Sequence, residues 1–276
     1  MNVAEFVLIG LGREWIVTFD EMYADFKEKK PIFAQLLDFI LGNEEYAFLL
    51  GPMEWFYNSA YIPYRFERAY QALYDLVNQR NYFIVSLTTD SYLRRFRFKT
   101  DRCVNPCGTL ENMQCECDCN HELLETGAVL ESFMSIIHEM EDENDYISQN
   151  TILRYAELLS DSLAGLKCKK CQEGIVFNTL DAVKYNENGY LDNWHLYMEW
   201  LQGTVNRKLC IVEAGVGMEL PAVIRWPFEK TAFYNKKATM IRVHHKFYQI
   251  NKEISDRAYG INKNAVEFFN KNSWRQ

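Results

Sequence analysis

The chain has 276 residues, of which 48% are hydrophobic, 25% charged and 15% aromatic, and its formal net charge is −8. This composition predicts a globular protein with one full core plus a small module. An acidic chain without a basic stripe argues against a nucleic-acid partner, and no apolar run predicts a membrane span or a signal peptide. We therefore expect a cytoplasmic protein whose eight cysteines are mostly reduced.

Two kinds of hydrophobic pattern cover most of the chain. Continuous apolar runs predict buried strands at residues 5–12, 81–89, 207–217 and 238–244. Apolar residues at i, i+3 and i+4 spacing predict helices over residues 19–50, 65–79, 121–166, 192–201 and from 254 onward. The aromatic segment 51–64 is expected to be turn-rich and to form a cleft wall. Strands that alternate with helices predict an α/β fold with a Rossmann-like parallel sheet.

Two cysteine groups interrupt this pattern: CECDC at residues 115–119 and CKKC at residues 168–171. Paired soft thiolates at short spacing suit tetrahedral zinc, and four of them close a structural site with no open position for catalysis. The predicted ligands are Cys115, Cys119, Cys168 and Cys171, with Cys117 as an alternative to either member of the first pair. Free thiols and a redox C-x-x-C are the other interpretations. A redox motif should open a helix after a strand, whereas Gln-Glu-Gly follows Cys171.

Two of the predicted strands end in glycine turns, GLG at residues 10–12 and GVG at residues 215–217. Glycine allows a backbone to approach a phosphate closely, and the N-terminus of the next helix adds hydrogen-bond donors. Each turn alone is also common between a strand and a helix, but the two together favour a dinucleotide-binding site. Arg13, after the first turn, either pairs with Glu14 at the surface or reaches the phosphates.

The order of these pieces resembles the sirtuins, most closely the macrodomain-linked (class M) group of ADP-ribosyltransferases. The segments that carry the resemblance are YFIVSLTTD, PCGTLENMQCECDC, CKKC and, most specifically, KLCIVEAGVGMELPAVIRWPFEKTAFYNKKAT. The resemblance covers most of the chain, although the N-terminal part matches poorly. It implies a large Rossmann-like NAD-binding domain and a small zinc-binding domain, with NAD and an acyl-lysine or protein acceptor in the cleft between them. We place the first over residues 1–100 and 172–276 and the second over residues 101–171.

The resemblance also implies a set of site residues. The expected contacts to NAD or ADP-ribose, with Arg13 added as a phosphate-binding candidate, are Gly10, Gly12, Arg13, Thr88, Asp90, Gly215, Val216, Gly217 and His244. The expected catalytic residues are Cys107, Thr88 and Asp90. In the family, the position of Asp90 belongs to a Gln-Asn-x-Asp motif, and the turn at 215–217 meets the phosphate and ribose. His244 stands where the family has an Asn that touches the adenosine ribose.

Departures from the family pattern change the expected chemistry. Thr88 replaces the Asn that binds the nicotinamide ribose and the attacking water, and Leu87 replaces the preceding Gln. Cys107 stands at the general-base His, where the class M group has Gln, and residues 13–15 replace a Ser and the Pro-Asp-Phe-Arg stretch. A positioned general base typically contributes ~10²–10⁴-fold, so ordinary deacylation should be disabled. ADP-ribosyl transfer needs only a placed nucleophile, and Cys107 is then a weak base, a nucleophile or an inert replacement.

Three functions are compatible with the sequence. The first is a sirtuin-like NAD-dependent protein ADP-ribosyltransferase or deacylase with a rewired site, acting on an acylated or lipoylated protein. The second is a catalytically silent module that binds NAD, ADP-ribose or a protein partner. The third is a zinc-stabilised scaffold without a nucleotide. The expected cofactors are NAD and zinc, and neither nucleic acid nor a membrane is an expected partner.

Overall fold

The structure is a computed structural model that describes residues 4–271. Its contacts divide the described chain into two units. The sheet unit comprises residues 4–16, 64–109 and 187–271, and the cysteine unit comprises residues 17–63 and 110–186. This division differs from the predicted boundaries, because residues 17–63 and 172–186 lie in the cysteine unit and residues 101–109 in the sheet unit. The helices of residues 17–63 bury their apolar faces against the helices of residues 131–164. Helical periodicity shows that a helix has an apolar face but not which part of the chain covers it.

The described residues form nine strands and eleven helices. The strands are β1 (Phe6–Leu11), β2 (Asn81–Ser86), β3 (Cys103–Val104), β4 (Gly108–Cys115), β5 (Leu123–Glu125), β6 (Ile175–Thr179), β7 (Leu209–Ala214), β8 (Thr239–Val243) and β9 (Ala258–Ile261). The helices are α1 (Phe19–Lys29), α2 (Pro31–Gly42), α3 (Leu50–Ala60), α4 (Tyr64–Val77), α5 (Tyr92–Arg95), α6 (Thr126–Val129), α7 (Glu131–Glu141), α8 (Gln149–Ala164), α9 (Asn188–Gln202), α10 (Arg225–Tyr234) and α11 (Ala265–Asn270). None of the described helices is long and apolar enough to cross a membrane.

The sheet unit is built on six parallel strands in the order β3-β2-β1-β7-β8-β9. Counted within this unit, that is the 3-2-1-4-5-6 order of a dinucleotide-binding fold, and the order reverses between β1 and β7. All six residues of β7 are buried, as the continuous apolar run predicts for a strand covered on both faces. The Rossmann-like sheet predicted from the sequence is confirmed.

The cysteine unit is mostly helical and carries a second sheet in the order β5-β4-β6. Its core joins apolar side chains of α1, α2, α3, α7 and α8, including Phe26, Phe33, Phe56 and Phe133. The first helix begins at a capping box in which Thr18 and Glu21 satisfy each other's free backbone N–H groups. A proline occupies the first turn of α2, where its missing N–H is tolerated.

Three local expectations are wrong. Residues 51–64 are largely the helix α3, whose Pro52 lies in the first turn and so removes no internal hydrogen bond. The predicted helix over 19–50 is divided into α1, α2 and the 3-10 segment Glu44–Leu49. The C-terminal part is not one helix from 254 onward, because the edge strand β9 precedes α11. That strand has only four residues and contains a glycine, too little for a period-2 pattern.

Candidate functional site

The two glycine turns lie side by side where the strand order of the sheet reverses. Gly12 follows β1 and Gly215 follows β7, and these strands pair in parallel register up to Leu11 and Ala214. A side chain at Gly12 would overlap the backbone carbonyl of Gly215 and the Cα atom of Val216. The two backbones therefore touch, and glycine at position 12 is required by this contact.

Glu14 fills the space beside Gly215. Gly215 has φ = +70°, and a Cβ atom there would lie 2.6 Å from the Cβ atom of Glu14. The Glu14 side chain is only 7% exposed. Its Oε1 atom accepts a hydrogen bond from the backbone N–H of His245 at 3.1 Å, and its Oε2 atom accepts one from Ala265 at 2.6 Å. The Nδ1 atom of His245 also bonds to Oε1. The group that approaches this turn closely is thus a carboxylate of the chain itself.

The other residues of the two turns have structural contacts. A side chain at Gly10 would come within 2.5 Å of the Cγ2 atom of Ile224, so this glycine allows α10 and the residue before it to pack on β1. Val216 is buried, and its carbonyl accepts a hydrogen bond from the Nη1 atom of Arg225 at 3.3 Å. At Gly217 a side chain would overlap the carboxylate of Glu219.

Arg13 and His244 differ sharply in their surroundings. Arg13 is exposed in the 3-10 turn Arg13–Trp15. His244 follows β8 and is 4% exposed, and its Nδ1 atom accepts hydrogen bonds from the N–H groups of Lys246 and Phe247 at 2.9 and 3.1 Å. Burial lowers the pKa of His244, against the opposite effect of Glu14. A neutral imidazole whose Nδ1 atom accepts carries its proton on Nε2.

Thr88 and Asp90 belong to a buried polar cluster at the end of β2. Thr88 is fully buried; its hydroxyl lies 3.0 Å from that of Ser86, and its carbonyl accepts a hydrogen bond from Asn105 at 2.8 Å. The Oδ1 atom of Asp90 accepts a hydrogen bond from the N–H of Tyr92 at 2.9 Å. These bonds fix both predicted side chains at the carboxyl edge of the sheet, where open α/β sheets bind ligands.

Tyr70 and Trp15 close the buried side of this polar cluster. Burial, helped by the charge of Asp90, raises the pKa of Tyr70 well above its ordinary value. Trp15 is fully buried with its ring centroid 4.8 Å from that of Tyr70. Its indole N–H has no hydrogen-bond partner among the described residues. The aromatic residue after Glu14 is therefore a core anchor of the sheet unit.

Cys107 lies in the apolar core of the sheet unit. It is 6% exposed and belongs to one hydrophobic cluster with Leu87, Val104 and Val216. Cysteines in such surroundings are commonly inert, whereas reactive ones occupy partly exposed, electropositive positions. Cys210, in β7, shows the effect of burial, which raises the pKa of its thiol to about 11.

Five thiols meet in the cysteine unit. The sulfur atoms of Cys115, Cys117, Cys119 and Cys171 all lie within 4.8 Å of one another, and the sulfur of Cys168 is 3.5 Å from that of Cys119. Tetrahedral zinc with bonds of about 2.3 Å separates its sulfur ligands by about 3.8 Å. The observed separations of 3.4 to 3.8 Å and the soft donor set fit zinc. Because tetrahedral zinc takes four thiolates, one of the five is surplus.

Comparisons with known proteins give a match in structure and none in sequence. No family model matches the chain, and no curated protein sequence matches it. A solved structure described as the structural basis of sirtuin substrate affinity has a TM-score of 0.51 and 15% identity, over 97% of this chain and 92% of that one. Sir2 bound to an acetylated peptide gives a TM-score of 0.51 and 14% identity, over 99% and 94% of the two chains.

A third solved structure is Sir2 in complex with an inhibitor, 2′-O-acetyl-ADP-ribose and a deacetylated peptide. It has a TM-score of 0.50 and 13% identity, over 99% of this chain and 93% of that one. The chain has the sirtuin fold. At these identities the likeness shows the sirtuin fold alone, so binding and chemistry have to be argued from the residues.

Sequence reasoning found most residues at this carboxyl edge of the sirtuin fold but missed Glu14, Tyr70 and Asn105. Glu14 bonds to residues more than two hundred positions away in the sequence. The one available signal was the charged Arg13-Glu14 pair directly after a buried strand and its glycine turn. Tyr70 lies on α4 and Asn105 directly after β3, and neither carries a local motif.

Proposed function

We propose that the sheet unit binds NAD or ADP-ribose at the carboxyl edge of its sheet. The observation that carries the proposal is the contact between the turns of Gly12 and Gly215 at the reversal of strand order. Open α/β sheets bind their ligands at this point, with the phosphates against glycine turns. The Sir2 structure with 2′-O-acetyl-ADP-ribose supports the same ligand class for this fold, and the resemblance to class M sirtuins points the same way.

The ligand would meet the residues predicted from the sequence: Gly10, Gly12, Arg13, Thr88, Asp90, Gly215, Val216, Gly217 and His244. In this proposal the backbone of the two turns faces the diphosphate and Arg13 supplies a cation. Asp90 would accept a hydrogen bond from a ribose hydroxyl, and the bond from the N–H of Tyr92 to its Oδ1 atom orients the carboxylate. The buried and neutral His244 would lie beside the adenosine ribose.

A second candidate is transfer of the ADP-ribosyl group, or deacylation, with an acylated or lipoylated protein as the acceptor. The buried Thr88 and Asp90 favour it, because they lie at the end of a parallel strand, where open α/β sheets bind their ligands. NAD would supply the ADP-ribosyl group, and these two side chains would orient the nicotinamide ribose. The apolar surroundings of Cys107 weigh against a nucleophile there and favour a silent binding module.

For the cysteine unit we propose one structural zinc, held by four of the five clustered thiolates. Soft donors that close the coordination shell leave the metal no catalytic position. We also propose a cytoplasmic location, because reduced cysteines that are clustered in this way are typical of reducing compartments.

Ligand binding and nicotinamide release test these functions. ADP-ribose and NAD should raise the melting temperature of the wild type, and Asp90→Asn should weaken binding about tenfold, because it removes a charge-assisted hydrogen bond. Asp101→Asn is the matched control, since the side chain of Asp101 is 63% exposed. No shift with either ligand at millimolar concentration would refute nucleotide binding.

Release of nicotinamide from NAD, measured with and without acylated or lipoylated protein, separates the two candidates. Binding without release identifies the silent module. Release that survives in folded Cys107→Ala would assign chemistry without this thiol, whereas release that disappears would make Cys107 catalytic.

A further inference from the structure

Glu14 has the hydrogen bonding of a bound anion. Its two carboxylate oxygens accept the backbone N–H groups of His245 and Ala265, and the imidazole of His245 adds a third bond. Charge-assisted bonds of this kind are stronger than neutral ones. Only 7% of the Glu14 side chain is exposed, so these bonds are largely shielded from water. Converging backbone N–H groups of this sort commonly bind phosphates and other anions.

The position of this carboxylate coincides with the place where the fold presents a phosphate site. Its Cβ atom would be 2.6 Å from a side chain at Gly215, and Gly215 in turn contacts Gly12. Both turns follow the strands between which the sheet order reverses. A diphosphate that approached these turns would enter the space that Glu14 fills.

We propose that this carboxyl edge is an anion site that the chain's own Glu14 carboxylate occupies, and that a diphosphate ligand binds by displacing it. The inference rests on the proposed function, because it assumes that a nucleotide diphosphate is the ligand. Displacement frees the N–H groups of His245 and Ala265 for the phosphate oxygens. Glu14 thereby sets which ligands bind: diphosphates compete with a tethered carboxylate, and uncharged nucleosides do not.

Charges of both signs lie around Glu14. Glu219 places a second carboxylate at Gly217, which repels an incoming diphosphate as Glu14 does. The guanidinium of Arg225 donates to the carbonyls of Val216 and Phe247, which fixes it against the backbone. Arg13 is exposed beside Glu14, and its guanidinium is the cation that can pair with the bound diphosphate.

Glu14, His244 and His245 are close enough to hold a metal ion, but the hydrogen bonds oppose that interpretation. The Nδ1 lone pair of His244, 3.4 Å from Glu14, already accepts two backbone N–H groups. Its Nε2 atom then carries a proton and is not a ligand. Two ligands remain, and the carboxylate is already bonded to three donors.

The test compares wild type with Glu14→Gln by calorimetry against ADP-ribose, inorganic pyrophosphate and adenosine. Glu14→Gln keeps the size of the side chain and removes its charge. ADP-ribose and pyrophosphate should bind the variant about 10- to 100-fold more tightly, the factor expected when one or two charge-assisted bonds no longer have to be broken. Adenosine should bind both proteins equally. Glu14→Ala, with circular dichroism to verify folding, repeats the test with the side chain removed.

Glu219→Gln is the matched control, because it removes a charge at the same edge without freeing a backbone N–H group. Equal affinity of wild type and Glu14→Gln for ADP-ribose overturns the inference and leaves the proposed function intact. Tighter pyrophosphate binding by Glu14→Gln without ADP-ribose binding supports the anion site and refutes the nucleotide function. If Glu219→Gln gains as much as Glu14→Gln, the effect is bulk charge and the inference fails. If Glu14→Gln binds neither pyrophosphate nor ADP-ribose, both proposals fail.

Discussion

Arg242→Met removes the cation of a buried ion pair in the sheet unit. Arg242 on β8 lies opposite Glu213 on β7, and its Nε and Nη2 atoms bond to the two carboxylate oxygens of Glu213 at 2.5 and 3.1 Å. Nη2 also pairs with Glu229 at 2.8 Å. The side chains of Arg242 and Glu213 are 1% and 0% exposed, so methionine leaves a carboxylate without its cation in the core.

We expect this variant to lose about 3–5 kcal/mol of unfolding free energy, the typical loss when one partner of a buried pair is removed. Burial raises the pKa of Glu213, and Arg242 opposes that shift, so the substitution raises the pKa further. A carboxyl group with a higher pKa in the folded state contributes stability that is present below its unfolded pKa and lost as the pH rises through the folded value. The loss should therefore be larger at about pH 8 than at about pH 5.

Urea unfolding followed by circular dichroism at both pH values measures the effect. Arg207→Met is the control, because the pair of Arg207 with Glu5 is exposed and should contribute far less to stability than the buried pair. The double variant Glu213→Leu with Arg242→Met should recover most of the loss, since it leaves no uncompensated charge. The reasoning is refuted if Arg242→Met loses no more than Arg207→Met, or if the double variant is no more stable than the single one.

Two further substitutions test the contacts that define the sites. Gly12→Ala should prevent stable folding of the sheet unit, because its new methyl group overlaps a backbone carbonyl. Gly42→Ala is the control, since its methyl group meets nothing within 4 Å and should change stability by under about 1 kcal/mol. Equal melting temperatures of the two variants would contradict this. The double variant Cys168→Ser with Cys171→Ser leaves three of the five clustered thiols, one too few for a closed tetrahedral site, and should lose the bound zinc and destabilise the cysteine unit, as chelation should in the wild type. Elemental analysis provides the measurement, Cys210→Ser is the control outside the cluster, and an unchanged zinc content in the double variant would exclude this cluster as the zinc site.

The elements that could be predicted from the sequence are those with long, one-sided or continuous apolar patterns. β1 and β7 are buried on both faces, so their sequences are apolar except for Glu213 in β7, and their glycine turns mark where each strand stops. α3 was missed because Pro52 and its aromatic residues suggest turns, yet a proline in the first turn costs no hydrogen bond. β9 has only four residues and contains a glycine, and β6 was missed as well.

The candidate sites also differ in whether their residues are local in sequence. Spacing brought the cysteines together correctly, because ligand pairs of a metal site are local in sequence. Spacing could not show which four of the five thiols bind the metal, because that depends on how two distant segments pack together. The role of Glu14 was out of reach because its partners, His245 and Ala265, come from the other end of the chain.

The pairing of β1 with β7 has a consequence for how this chain is made. Phe6 pairs with Leu209, so β1 leaves the ribosome long before β7, the strand that it pairs with, has been synthesised. Contacts of such wide sequence separation form late, because the chain between them has to be ordered or looped first. The cysteine cluster, complete at Cys171, is available before β7 has been synthesised. We expect the cysteine unit to fold first during synthesis and the middle of the large sheet to close last.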